Sequence, residues 1–465
     1  MPQGRSTSNL RDAAGAVVDN TSGGGITQAV NIGGQRYVLN AADFPRTSDA
    51  LEHQMHALSL KRHSHGLLDW EVAASRYRYG RDLQRSYAPS SAAQPDAGRI
   101  SDQGGTGWQT LALKLVWRPS EAHIIDAGLQ QDSFRLRQHV YDTPDWDAGA
   151  PAAENSSFLV DTRLRSVFVQ DAWSFADRWK TVLGLRAEQW NAWGGLTTSG
   201  SNAHAHPQRS ERYLSPKAAL AYELSDAWVL KASTGRAVRM PTVSELYQGS
   251  FNGTGQLVNN DPDLKPEVSW TGELSAEADL GPQRLRITLF REDTQDALYS
   301  QTNVTVTPNV PNIQNVDRIR TNGVELAWSA QDLLSKRLDL SSSITYADSL
   351  ILRNDKFTAS VGHWQPRVPR WRATALATWR PDDRWTVSVG ARYSGRQYST
   401  LDGSDPNGFT YQGASKYFTT DMRIRWRIDR RWSAAFGIDN LNNYQYWNFH
   451  PYPQRTYSAE LNFDL

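Results

Sequence analysis

Residues 371–379 read WRATALATW. Trp371, Ala373, Ala375, Ala377 and Trp379 fall on one face of an extended chain, and Arg372, Thr374, Leu376 and Thr378 fall on the other. Successive side chains of a strand point to opposite sides, so this alternation is the pattern of a strand with one apolar and one polar face. The next run, WTVSVGARY at 385–393, repeats the design with Trp385, Val387, Val389, Ala391 and Tyr393. The run DMRIRWRID at 421–429 sets Met422, Ile424, Trp426 and Ile428 against Arg423, Arg425 and Arg427. In the first two runs an aromatic brackets each end of the apolar face, eight residues apart. At about 3.3 Å per residue that is roughly 26 Å, and a tilt of about 40° reduces it to roughly 20 Å along a membrane normal. That is close to the ~25 Å apolar band of an outer-membrane barrel, with the aromatics at the two lipid–water interfaces. A soluble sandwich explains the alternation. It does not explain the bracketing aromatics or the small Ala and Val residues between them.

Composition agrees with a half-wet sheet. The chain has 465 residues, a net charge of +1 and no cysteine, which excludes thiolate metal sites and a disulfide framework. Tryptophan and tyrosine, 18 of each, outnumber the 13 phenylalanines, so the aromatics are mostly amphipathic. Mean hydropathy is −0.60, as expected when half of each strand faces water and the loops are polar. No apolar run approaches the length of a membrane helix, and the first twenty residues lack the pattern of a secretory signal.

Alternating runs recur near 51–62, 67–83, 108–118, 122–139, 162–175, 179–192, 214–224, 228–240, 267–280, 284–296, 318–329, 338–350, 370–379, 385–397, 417–429, 432–446 and 456–465. That is about seventeen strands, or eighteen if 26–40 contributes one. The joins sort by parity. RPSE (118–121), FADR (175–178), LSDA (224–227), LGPQ (280–283), RPDD (380–383) and DRR (429–431) are tight, whereas 193–213, 241–266, 297–317, 351–369 and 398–416 are long and rich in Gly, Asn, Ser, Pro and aromatics. Short periplasmic turns and long outer loops give a transmembrane barrel this asymmetry. The final residues, RTYSAELNFDL (455–465), alternate to the end. A closing strand must pair along its whole length, because an open edge leaves unpaired N–H and C=O groups in lipid.

Four stretches resemble elements of TonB-dependent outer-membrane receptors, in the family order. They are GRAVRMPTVSELYQ (235–248), NNDPDLKPEVSW (259–270), IQNVDRIRTNGVELAW (313–328) and FGIDNLNNYQYW (436–447). The resemblance covers about 160–465 by motif and the earlier part by periodicity. It implies an all-β, transmembrane antiparallel β-barrel of 22 strands around an N-terminal plug, of which this chain supplies about 17–18 strands, with the plug domain absent. The division expected is 1–50 as an N-terminal segment with an outer loop and room for one strand, and 51–465 as the receptor-like barrel. The resemblance further implies a multi-pass protein of the Gram-negative outer membrane, taking up a metal chelate with energy supplied by the TonB complex through the plug. A ferric siderophore is the first expectation; haem, cobalamin and other metal chelates are the variants. The C-terminal strand would be read by the outer-membrane assembly machinery, and the family's usual terminal aromatic is replaced here by Phe463 followed by Asp464 and Leu465.

The candidate site residues divide into three groups. Arg372, Arg392, Arg423, Arg425 and Arg427 lie on the lumenal face, either as guidance for an anionic chelate or as a wet ladder paired with neighbouring carboxylates. His204 and His206, at i and i+2 in NAHAH (202–206), have the spacing for a shared ligand; a polar loop that carries two histidines by chance has it too. Tyr141, Trp146, Tyr247, Tyr299, Trp364, Tyr398 and Tyr411 sit in the outer loops, where they suit a flat, oxygen-rich chelate or else belong to the upper girdle and pack the loops together. No catalytic constellation, bound-metal motif, cofactor motif or nucleic-acid stripe is visible. The competing classes are a passive porin, with an in-folded constriction loop, and an enzyme with its site at the barrel rim.

Overall fold

The computed structural model describes residues 3–7, 30–32, 35–37, 46–88, 96–247, 249–261, 263–303, 310–333, 337–410 and 413–464. Seventeen long strands form the wall. In chain order they are β1 (Arg46–Arg62), β2 (Leu68–Tyr87), β3 (Gly107–Ser120), β4 (His123–Thr143), β5 (Glu154–Ala176) and β6 (Trp179–Ser199). They continue as β7 (Arg209–Ser225), β8 (Trp228–Arg239), β9 (Glu267–Asp279), β10 (Gln283–Asn303), β11 (Val310–Asp332) and β12 (Leu338–Arg353). The last are β13 (Trp371–Trp379), β14 (Trp385–Ser394), β15 (Tyr417–Arg427), β16 (Trp432–Asp439) and β17 (Thr456–Phe463). Each pairs antiparallel with the next. With three short segments, Gln3–Thr7, Gly98–Asp102 and Asn202–Ala205, they make one sheet of twenty strands. No helix among the described residues is long and apolar enough to cross a membrane.

Directly opposed residues share a face, so register carries the sequence alternation around the wall. One outward row runs Leu60, Val72, Leu113, Leu129, Val167, Ala187, Leu214 across β1 to β7. Another runs Ala377, Val389, Met422, Ile438, Tyr457 across β13 to β17. These rows bury nothing inside the protein: Leu129 is 55% exposed and Tyr457 61% exposed. A sheet whose large aliphatics face out is stable only in an apolar solvent. The lumenal face is polar and ion-paired, with Lys231 on Glu277 at 2.6 Å and Arg286 on Glu325 at 3.1 Å. Two lumenal glycines sit under rings: a Cβ on Gly323 would meet Phe290, and one on Gly128 would meet Phe168.

The tight joins are fastened by side chains. Asp382 accepts from the N–H groups of Arg384 and Trp385, and Asp429 from those of Arg431 and Trp432. The Asp429 carboxyl is held below the usual carboxylate range by these two donors. At 280–283, Gly281 takes φ +78°, which a side chain resists. Between β1 and β2, Asp69 accepts from the Ser64 N–H and hydroxyl and from Arg118.

Two features depart from the sequence reading. The strand expected within 26–40 is not part of the wall. Val30–Ile32 and Gln35–Tyr37 pair with one another as a separate ribbon, and residues 26–29, 33–34 and 38–40 lie outside the described residues. The segment that joins the wall is Gln3–Thr7, paired with Arg46–Ala50 at the outer end of β1. The long strands also outrun their apolar alternation. β5 spans 23 residues, beginning at Glu154 where the alternating run begins near 162. A ladder needs only backbone partners, so it continues above the membrane after the outward residues have turned polar.

Candidate ligand-binding site

The outer end of the lumen is built around a segment folded inward from the wall. After β8 the chain passes Met240 and Pro241 and forms α1 (Val243–Leu246). Thr242 caps it and Glu245 reaches back to the Thr242 N–H, which closes a capping box on this single turn. Arg239, at the end of β8, holds Glu245 through both carboxylate oxygens at 3.1 Å. So fixed, Val243, Leu246 and Tyr247, with Leu264 further along, pack on Val160, Trp190 and Ala192 of the lumenal faces of β5 and β6. Leu246 and Leu264 are fully buried. Among the described residues, the one-layer wall gains a hydrophobic core here and in a second cluster, Ala297, Val316, Ile319, Ile351 and Leu401, against which Phe357 of the segment after β12 packs.

Beside the first core, Arg209, Glu211 and Tyr213 line up on the lumenal face of β7. Arg209 donates to the Leu264 carbonyl at 2.8 Å, stands over the Trp190 ring and pairs with Glu211, which also accepts from the Tyr213 hydroxyl. The sequence carried a signal for this group in the spacing Arg-x-Glu-x-Tyr of an alternating run, which sets all three on one face; the reading above did not single it out.

The structure gathers the singled-out residues into clusters. His204 and His206 face each other with ring centroids 4.8 Å apart, and His206 lies 4.3 Å from Tyr247. His206 and Tyr247 are buried, at 6% and 2% exposure. Thr197 lies 2.9 Å from the His206 Nε2, while the His206 Nδ1 and the Tyr247 hydroxyl have no hydrogen-bond partner among the described residues. Burial, with His204 adding to it, pushes the His206 pKa down to about 4, so the ring is neutral at pH 7. Burial also pushes the Tyr247 hydroxyl above its ordinary value. These rings hold the inward segment against the outer hairpin of β6.

A second cluster takes in Tyr299, Trp364 and Tyr398. Gln365 donates to the Tyr299 hydroxyl at 2.8 Å, Trp364 and Tyr398 meet edge to face at 5.4 Å, and Arg370 stacks 3.8 Å over Trp364. Tyr141 and Trp146 stand apart on another stretch of the rim. Tyr141 stacks near His139, and Trp146 is enclosed at 7% exposure beside Tyr87. Tyr411 lies outside the described residues.

Of the lumenal arginines, Arg392 pairs with Asp421 at 3.1 Å. Among the described residues Arg372, Arg423, Arg425 and Arg427 have no ion-pair partner, and all four are exposed. Three of them stand in one column on β15, with Gly437, Ala435 and Ser433 as their cross-strand neighbours on β16. The arrangement is a lumenal wall with uncompensated positive charge below a rim of ordered aromatic clusters.

Similarity to known proteins follows the same outline. An iron-regulated outer membrane virulence protein of Vibrio cholerae is 25% identical over 286 residues, covering 59% of this chain and 40% of that protein. The match spans less than half the length of such curated relatives, 40%, 37% and 38% of the first three. Among solved structures, the siderophore receptor PiuA from Acinetobacter baumannii superposes with a TM-score of 0.66 at 16% identity, over 90% of this chain and 65% of that one. The ferric yersiniabactin uptake receptor FyuA from Yersinia pestis gives 0.64 at 15% identity, over 90% and 60%. The model of the TonB-dependent receptor-like β-barrel matches residues 3–441, and with the outward apolar rows, the sorted turns and loops and the polar lumen already in place, the chain belongs to the TonB-dependent receptor β-barrel family.

Proposed function

We propose that this chain is the barrel of an energy-dependent receptor in the Gram-negative outer membrane, crossing it many times, and that its cargo is a metal chelate, first of all a ferric siderophore. The observation that carries the reading is the column Arg423, Arg425, Arg427 on the lumenal face of β15, exposed and without carboxylate partners among the described residues. In a narrow wet passage, such charge draws an anionic chelate inward. Several relatives support it, since they carry the names of siderophore receptors. Residues 51–465 act as the barrel and 1–50 as an N-terminal segment. The TonB complex is engaged through a plug supplied by the whole receptor, outer-membrane lipid surrounds the wall, and the assembly machinery reads the strand that ends near Phe463.

Capture at the rim falls to Tyr141, Tyr299, Trp364 and Tyr398 of the aromatic set, with His204 and with Tyr411, which lies outside the described residues. Trp146, His206 and Tyr247 act as packing that holds the loops in place, in keeping with their burial. The test is uptake of labelled ferric siderophores by cells carrying the full-length receptor. Arg423→Gln with Arg425→Gln lowers uptake of anionic chelates about ten-fold and leaves neutral ones near wild type. Unchanged uptake of both refutes the assignment of this column.

A passive pore is the second reading, and one observation favours it: Val243, Leu246, Tyr247 and Leu264 pack on the lumenal side of β5 and β6, as a constriction loop would. Uptake that persists when the proton gradient is collapsed selects the pore.

A further inference from the structure

We propose that the outward face of β2 to β5, at the outer margin of the apolar band, binds the phosphate groups of an anionic lipid in the outer leaflet.

The reasoning starts from spacing. On β13, β14 and β15 the residue eight positions from the turn-side aromatic is itself aromatic: Trp379 to Trp371, Trp385 to Tyr393, Trp426 to Phe418. On β2 and β5 the same count leads to arginine: Trp70 to Arg78, and Trp173 to Arg165. Register places both on the outward face. Arg78 opposes Gly107, which opposes Arg135, which opposes Asp161, and Arg165 opposes Gln131. Directly beneath lie Leu111, Leu129 and Val167, each more than half exposed. The basic patch therefore begins where the hydrocarbon ends, at the height of lipid head groups.

Charge on this patch is not compensated. Across β2, β4 and β5 the outward residues at this height are Arg76, Arg78, Arg135, Arg137, Arg163 and Arg165, against the single carboxylate of Asp161. Asp161 serves Arg135 and Arg137, at 3.1 and 2.7 Å. Arg76 and Arg78 are exposed and have no ion-pair partner among the described residues. Arg163 lies over the Trp193 ring at 5.1 Å, and its Nε is buried without a hydrogen-bond partner. The opposite stretch of wall differs. There the outward Arg318 and Arg320 both close on Asp293 at 2.7 Å, and Arg370 closes on Asp348 at 2.8 Å.

Shape agrees with charge. Gly107 has no side chain at the centre of the patch, and a concavity of about 420 Å³ opens there, lined by Arg76, Arg78, Arg135, Arg163 and Trp193 among others. A phosphate has three acceptor oxygens and suits planar guanidiniums converging from several strands. Acyl chains below it would lie along the Leu and Val rows. A water-soluble anion would gain the charge contacts but not that apolar continuation, so the lipid is the occupant that uses both.

The experiment uses the full-length receptor, purified from outer membranes and placed in phosphatidylcholine nanodiscs. Diphosphoryl lipid A, its fully dephosphorylated counterpart and inorganic phosphate are the three probes, and bound lipid is counted by native mass spectrometry. The wild-type receptor retains the diphosphorylated lipid at least ten-fold better than the dephosphorylated one. Arg76→Gln/Arg78→Gln/Arg163→Gln/Arg165→Gln removes that preference, Arg78→Gln and Arg165→Gln singly reduce it, and Arg291→Gln, outward on β10, leaves it intact. The single variants carry the test if the quadruple variant fails to fold. Equal retention of the two lipids, wild-type preference in the single variants, or displacement of the lipid by inorganic phosphate at low millimolar concentration overturns the proposal.

Discussion

Exchanging two adjacent residues of β13 for arginine tests the face assignment on which everything else depends. Ala375 stands four residues from Trp371 and four from Trp379, so it lies at the middle of the apolar face. It is opposed by Ala391 on β14 and Ser342 on β12, small neighbours that offer no counter-charge. Ala375→Arg therefore sets a guanidinium near the bilayer midplane, about 10 Å from either interface by the rise of a tilted strand, at a cost of about 2–4 kcal/mol. Thr374 is on the lumenal face, where its hydroxyl lies 2.8 Å from that of Ser343 and its register partner is Arg392. Thr374→Arg forfeits that hydrogen bond, about 0.5–1.5 kcal/mol, and adds a like-charge neighbour in water, about 0.2–1 kcal/mol. The outward substitution should thus be the worse by about 1.4 kcal/mol, a factor near ten in the folded-to-unfolded ratio. Reversible urea unfolding of the full-length receptor in lipid vesicles, followed by tryptophan fluorescence, measures both. Equal losses, or a larger loss for Thr374→Arg, would show that the faces have been exchanged.

The remaining predictions concern the packing at the outer end and in the wall. Leu246→Ala empties a fully buried position of the inward segment, so hydrogen exchange across 241–247 should accelerate to match a local loss of about 2–5 kcal/mol, while the wall strands keep their protection; unchanged exchange would mean that the segment does not rest on this core. Gly323→Ala drives a methyl into the Phe290 ring and the Tyr346 carbonyl, and should lower wall stability in urea by about 1–3 kcal/mol; Phe290→Leu in the same background should recover part of it. His206 has a folded pKa of about 4 against an ordinary value near 6.5. The opened hairpin takes up a proton that the packed ring resists, so the contribution of this contact is whole above about pH 6.5 and declines as pH falls toward 4. Exchange at 195–206 should rise through that window and be flat with pH in His206→Asn; a flat wild-type profile refutes the burial argument.

Much of this architecture was legible before any coordinate. The paired aromatics of β13 and β14, the parity of the joins and the alternation of β17 depend on local chemistry, a period of two and a turn sequence, and local chemistry survives inspection of one strand at a time. The ion pairs of the lumen were half legible: the sequence put Arg392 and Arg423 on the inner face but not their different fates, because whether a carboxylate comes within reach, as Asp421 does diagonally across from Arg392, is a matter of register. The inward packing of Val243, Leu246, Tyr247 and Leu264 was not legible at all. Val243 and Leu246 touch Val160 and Trp190 across more than fifty residues of sequence, and the four-residue α1 shows no periodicity long enough to read. The packing of the loop histidines was hidden for a related reason. His204 and His206 share a face as their spacing requires, but burial of one of them is decided by Tyr247, which arrives from a different loop.

The tight joins between wall strands lie at one end of the molecule, and this bears on how such a protein can change over generations. Asp382, Asp429, Asp279 and Ser225 set the start of their hairpins with bonds two or three residues long. A hairpin whose register is set at its closed end is indifferent to how many residues its open end carries. Insertions and deletions in the outer loops therefore leave every pairing of the wall in place, since the added closure entropy grows only with the logarithm of loop length. Outer segments can be lengthened, exchanged or reshaped while the wall stays constant, and selection for a new cargo meets little resistance from selection for folding.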